Sequence, residues 1–178
     1  MKIFVETERF ILREIVPTDI EGLYELDSDP EVHRYLGNEP VTDKDKLSNV
    51  IQLIRQQYID NGIGRWAVVH KKTEEFVGWS GLKLERNLIN DHQNYYDLGY
   101  RIQRKYWGQG IASETAKATL NFGIEQLQLQ EVFSIVHCDN LASQAVLNKL
   151  GFVKDGIFEC DGEPHFWCQL NIENWLNK

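Results

Sequence analysis

The chain has 178 residues, is 42% hydrophobic and 26% charged, and carries a formal net charge of −8. That length suits a single domain, residues 1–178, with a sizeable core. The acid surplus argues against DNA or RNA as partner, because nucleic-acid affinity rests on Lys and Arg neutralising phosphates. No apolar run approaches a membrane span, and the start, MKIFVETERF, lacks the long apolar segment of a signal peptide. Cys138, Cys160 and Cys168 are scattered, odd in number and without a C-x-x-C pair, so no disulfide framework is indicated and a reducing cytoplasm fits. Five histidines show no metal spacing, and the adjacent His137 and Cys138 would face opposite sides of a strand, so no metal is expected. The negative charge suits a cationic partner through steering, and it suits plain solubility equally well.

No repeat or low-complexity linker divides the sequence. A first strand is expected over Phe10–Ile15. Thr18-x-x-Glu21 has the form of a capping box, and a helix follows with Ile20, Leu23, Tyr24 and Leu26 inward. Asp29-Pro30 opens a second, short helix, since proline is tolerated in a first turn. A third runs from about Thr42, with Leu47, Val50, Ile51, Ile54 and Tyr58 on one face, until Asn61-Gly62 stops it. Arg65–His70 and Phe76–Leu84 read as a hairpin. Gly78 and Gly81 in its second strand mark a bulge or a close approach. After the polar loop Glu85–Asn94 come a strand at Tyr95–Ile102, a helix at Ala112–Leu127, a strand at Val132–Cys138 and a helix at Leu141–Leu150 closed by Gly151. Two strands near Val153–Glu159 and His165–Ile172 finish the chain. The piece from Tyr95 to Cys138 is long enough for a right-handed parallel crossover, whereas the hairpins around it are antiparallel. The expected class is α/β: one mixed, mostly antiparallel bent sheet with helices on both faces.

The most informative stretch is YYDLGYRIQRKYWGQGIAS, residues 95–113. Tyr96, Leu98, Tyr100 and Ile102 alternate with Asp97, Gly99 and Arg101. After Ala112 the apolar period becomes helical. Gly108 and Gly110 therefore sit where a strand hands over to a helix. Free N–H groups and the positive dipole end favour an anion there, and glycine lets backbone curl around a phosphate. The Walker pattern is absent. The dinucleotide pattern matches poorly: Ser113 replaces the third glycine, Glu131 opens the next strand, and Asp139 lies too far along. That pattern would make the chain an oxidoreductase.

WGQGIASE followed by DNLASQAVLNKLGF resembles the acetyl-CoA-binding core of the GNAT superfamily of N-acetyltransferases. ETERFILREIVPTD and SDPEVHRYLG are similar to the subgroup holding the ribosomal-protein N-terminal (alanine/serine) acetyltransferases. The resemblance runs from about Glu6 to the C-terminal strands. It implies a single-domain GNAT-like fold in which the strands at Tyr95–Ile102 and Val132–Cys138 splay apart, with CoA entering from one side and an acceptor amine from the other. It also implies acetyl transfer from acetyl-CoA, without metal, to a primary amine. A protein or peptide N-terminal α-amine leads as acceptor; a polyamine or antibiotic amine, or a module that holds CoA without catalysis, is the alternative. A monomer or a homodimer is compatible with the sequence.

Such a transfer needs CoA anchored, the carbonyl polarised, the amine deprotonated and the thiolate protonated. The resemblance assigns the pyrophosphate to the turn Trp107, Gly108, Gln109, Gly110, Ile111, Ala112 and Ser113, largely through backbone N–H groups. The family usually has Gln or Arg where Trp107 stands. Arg104 and Lys105 either meet the 3′-phosphate of CoA as charge-assisted donors or are solvated surface charges. Backbone groups of Tyr100 and Ile102 would pair with the pantetheine arm like an added strand. Asn140 and Ser143 read as helix caps, and the family context turns both toward CoA. Many GNAT enzymes carry a proton-donating tyrosine where this chain has Leu147, which cannot give a proton. In the subgroup a serine at the Ser143 position is the suggested donor. Candidates for the general base are Asp97, Glu159, Glu163 and His165.

Overall fold

The computed structural model of the chain describes residues 1–176. The order of elements is β1 (Ile3–Glu6), β2 (Phe10–Glu14), α1 (Ile20–Asp27), α2 (Pro30–His33), α3 (Lys44–Asn61), β3 (Arg65–His70), β4 (Phe76–Glu85), β5 (Tyr95–Ile102), α4 (Ile111–Leu127), β6 (Glu131–His137), α5 (Leu141–Leu150), β7 (Val153–Cys160), β8 (Glu163–Asn171) and α6 (Ile172–Leu176). The strands form one open sheet ordered β1-β2-β3-β4-β5-β6-β8-β7. Every neighbouring pair is antiparallel except β5 and β6, which are parallel and joined through α4. The expected α/β class with a mixed, mostly antiparallel sheet is what forms.

Strand alternation sends neighbouring residues to opposite faces. One face packs Leu12, Trp66, Val68, Leu98 and Ile102 against α4 and α5 through Ile111, Ala116, Leu120, Leu147 and Leu150. The other packs Ala67, Val69 and Trp79 against α1 and α3 through Leu23, Leu47 and Ile51. Each fully buried Leu or Ile contributes about 1.5–3 kcal/mol relative to exposure, so both helical layers are held by burial more than by propensity.

Two local readings are corrected. Thr18 does not cap α1. The chain instead makes a 3₁₀ turn at Pro17–Asp19, and Asp19 accepts from the Val16 N–H at 2.8 Å while taking both Arg13 guanidinium nitrogens at 2.7 Å. A two-pronged charged partner outcompetes a threonine cap. Val50 lies 40% exposed at the rim of the α3 face that buries Leu47 and Ile51. The short β1 and α6 were not foreseen. The glycine reading in β4 holds: a Cβ on Gly78, at the bulge opposite β3, would stand 2.1 Å from the Arg101 carbonyl oxygen of β5.

The site depends on how β5 and β6 meet. β4 holds β5 along its whole length, and β8 does the same for β6. Between β5 and β6 the only paired register is Asp97 with Phe133. The Ser134 hydroxyl donates to the Leu98 carbonyl at 2.9 Å. Beyond it the two strands diverge and leave a gap.

Candidate active site

The glycine turn closes one end of that gap. Gly108 and Gly110 both have φ +74, and a Cβ on either would meet no atom within 4 Å, so open space lies beside both glycines. The first bond of the α4 ladder runs from the Glu114 N–H to the Gly110 carbonyl, 3.0 Å. The N–H groups of Ile111, Ala112 and Ser113 precede it and project from the helix end. An open, left-handed double glycine with three free donors fits a pyrophosphate. Arg9 fastens this cradle to the start of β2: it pairs with Glu114 at 2.6 Å and donates to the Gln109 carbonyl at 3.1 Å. Trp107 anchors the loop by donating its indole N–H to the Ile102 carbonyl at 2.7 Å. Lys105 pairs with Glu25 of α1 at 2.8 Å, and that hydrogen bond raises its pKa. Arg104 beside it is exposed.

Main-chain direction along β5 follows from one contact. The Leu98 carbonyl accepts from Ser134 of β6, so it points toward the gap. Tyr100 and Ile102, two and four residues on, direct their N–H and C=O groups the same way. The Ile102 carbonyl is already taken by the Trp107 indole, which leaves both main-chain groups of Tyr100 and the N–H of Ile102 open on this edge. An extended pantetheine-like chain therefore finds strand partners at Tyr100 and at the Ile102 N–H.

The α4–α5 side of the gap carries neutral hydroxyls. Asn140 is the N-cap of α5, accepting from the Ser143 N–H at 3.1 Å. Ser143 sits in the first helical turn, and its Oγ lies 2.9 Å from the Tyr100 hydroxyl. Burial raises the Tyr100 phenol far above its ordinary pKa, so it stays protonated. Leu147, one turn further on, is buried in the core.

The opposite side carries charge. Arg65 crosses from β3 over Gly99, whose missing Cβ would otherwise stand 2.7 Å from the guanidinium carbon. It donates to the Gly81 and Asp97 carbonyls at 2.7 and 2.8 Å and ion-pairs with the Asp97 carboxylate. Burial raises the Asp97 carboxyl and the Arg65 guanidinium opposes that rise. Arg101 pairs with Asp27 of α1 at 2.5 Å. The Trp79 ring lies between the two guanidiniums, 5.2 and 5.3 Å from them. His33 of α2, buried, stands 3.5 Å from Asp27. Burial and then Arg101 lower its pKa, against Asp27.

At the mouth of the gap, His137 ends β6. Its Nδ1 accepts the Asp139 N–H at 3.0 Å, which places the neutral ring's proton on Nε2, 3.5 Å from Glu163 Oε2. Tyr35 packs on His137 with ring centroids 5.2 Å apart. Of the four candidate bases, Asp97 is committed to Arg65, Glu159 is exposed on β7, and His165 Nδ1 lies 2.9 Å from the Glu163 carbonyl. Glu163 alone combines exposure with a donor that orients it. The sequence reading missed Arg65, Arg101, Asp27 and His137. The alternation that put Leu98, Tyr100 and Ile102 on one face was the available signal that Tyr100 and Ser143 share a side.

Residues 9–153 match the family described as an acetyltransferase (GNAT) domain. The uncharacterized N-acetyltransferase p20 of Bacillus licheniformis is 32% identical over 151 residues, 85% of this chain and 83% of that protein. The fold is shared with a spermidine N-acetyltransferase from Vibrio cholerae solved with CoA and spermine, with TM-score 0.76, 20% identity, and 96% of this chain and 100% of that one covered. It is shared equally with a ribosomal-protein-S5-alanine acetyltransferase from Vibrio fischeri, with TM-score 0.76, 18% identity, and 96% and 97% covered. With the glycine cradle, the single-pair splay and the family match in agreement, this chain belongs to the GNAT N-acetyltransferases, enzymes that use acetyl-CoA as co-substrate.

Proposed function

We propose that this acetyltransferase moves the acetyl group of acetyl-CoA directly, in a ternary complex, to a free α-amine at a peptide or protein N-terminus. The observation that carries this reading is the state of the charged face. Asp97 is matched by Arg65 and Asp27 by Arg101. A polyamine brings several ammonium groups that need unmatched carboxylates, whereas a peptide N-terminus brings one amine. Acidity points the same way. At pH 7 freeing an α-amine of pKa about 7.8 costs roughly 1 kcal/mol, and freeing a lysine of pKa about 10.4 costs roughly 4.6 kcal/mol. A site whose base is a half-exposed carboxylate suits the easier task. The Vibrio fischeri enzyme with this fold is named for an alanine of ribosomal protein S5, and the Vibrio cholerae enzyme for spermidine.

The roles follow from placement. The turn 107–113 holds the pyrophosphate, and Tyr100 pairs with the pantetheine arm through its main chain. The amine nitrogen attacks the thioester carbonyl carbon, and the proton it sheds passes to Glu163, which the His137 Nε2–H orients. The C–S bond breaks with its electron pair on sulfur. Sulfur takes the Ser143 proton, and Ser143 recovers one from water. The cytoplasm remains the expected location.

Thiol release from acetyl-CoA tests the acceptor. Peptides with free N-termini should turn over, and the same peptides with blocked N-termini and internal lysines should not. Activity confined to spermidine or to lysine side chains would overturn the reading.

A further inference from the structure

The family's usual tyrosine is replaced by Leu147, yet a tyrosine hydroxyl does reach the serine assigned to the departing thiolate. It comes from a different element. Tyr100 projects from β5 onto the α4–α5 side, and its oxygen lies 2.9 Å from Ser143 Oγ and 3.1 Å from the Ser143 carbonyl. One phenolic proton thus has two acceptors on the same residue. When the Tyr100 O–H faces the carbonyl, the Ser143 O–H donates to the phenol oxygen and is turned away from the gap. When the Tyr100 O–H turns to Ser143 Oγ, the serine proton is free to face the gap. Ser143 cannot swing away on its backbone, because its N–H is held by the Asn140 cap at 3.1 Å.

We propose that Tyr100 is a positioning residue that aims the Ser143 hydroxyl at the CoA sulfur and donates to Ser143 Oγ as charge develops on that sulfur. This rests on the reading of Ser143 as proton donor. The phenol keeps its own proton throughout, as its burial dictates. Only the Ser143 proton is transferred, to sulfur, as the C–S bond breaks. Donation into an oxygen that is losing its proton strengthens with the charge, so the contact acts more on the thiolate state than on bound acetyl-CoA.

The sharpest test needs no acceptor amine. The thiol of enzyme-bound CoA is titrated through the ultraviolet absorbance of its thiolate. Both hydroxyls stabilise the thiolate, so Ser143→Ala and Tyr100→Phe should each raise the bound thiol pKa by about one unit, a tenfold shift. The double variant should rise no further than Ser143→Ala, because Tyr100 acts through Ser143. In acetyl-CoA turnover, Tyr100→Phe should lower kcat about tenfold with KM for acetyl-CoA little changed. If Ser143→Ala raises the thiol pKa and Tyr100→Phe does not, the Tyr100 role falls and the Ser143 reading stands. If Ser143→Ala leaves it unchanged, both fall. If Tyr100→Phe weakens CoA binding at an unchanged thiol pKa, Tyr100 is a packing residue and the proposal is overturned.

Discussion

The two sides of β5 solve opposite electrostatic problems a few ångströms apart. On the α4–α5 side, where charge must form on sulfur and then be quenched by a proton, the chain offers neutral donors: the Tyr100 and Ser143 hydroxyls and the free N–H groups at the start of α4. On the other side, where a cation or amine would arrive, it offers charges in matched pairs, Arg65 with Asp97 and Arg101 with Asp27. A fixed cation beside the sulfur would hold the departing sulfur as a thiolate and oppose its protonation. Oriented neutral dipoles stabilise charge only while it is there. Matched pairs on the other side keep that face polar without creating a deep well for a polyvalent cation.

The charged side should show the largest effect. Arg65→Met leaves the Asp97 carboxylate buried without its partner, which should cost about 3–5 kcal/mol of stability in a denaturant titration. Arg65→Met with Asp97→Leu should recover most of that loss. If the single variant costs no more than an exposed pair does, about 0–1 kcal/mol, the pair does not organise the face.

On the neutral side, Gly110→Val places a branched side chain at φ +74, in the open space beside the turn. Acetyl-CoA affinity should fall on the order of 100-fold, about 2.7 kcal/mol, with a separate loss of stability from backbone strain of about 1–3 kcal/mol. Unchanged calorimetric affinity in a folded Gly110→Val protein would move the pyrophosphate elsewhere.

Much of the neutral side was legible in the sequence. The bounds of β5 and α5 are those expected, and α4 differs by one residue, because the apolar period changes from two to 3.6 across two glycines. The charged side was not legible. Arg65 and Asp97 are 32 residues apart and Asp27 and Arg101 are 74 apart. Their meeting depends on sheet register and on where α1 docks, which no local pattern encodes. Thr18 misled for a related reason: the turn at Pro17–Asp19 is set by Arg13 of β2, which holds the Asp19 carboxylate from outside the local pattern. Tyr100 and Ser143 were each singled out, but their contact spans 43 residues and two elements and became visible only in the fold.

In the proposed reaction this gap performs acetyl transfer with Ser143 serving the departing thiolate. The most direct measurement is kcat and the melting curve of Ser143→Ala taken together. Positioned proton transfer contributes about 10²–10⁴-fold, so kcat should fall within that range while acetyl-CoA affinity barely changes. A variant that loses about 1 kcal/mol of stability yet turns over at the parent rate would make Ser143 a first-turn helix residue and nothing more, and would contradict the account.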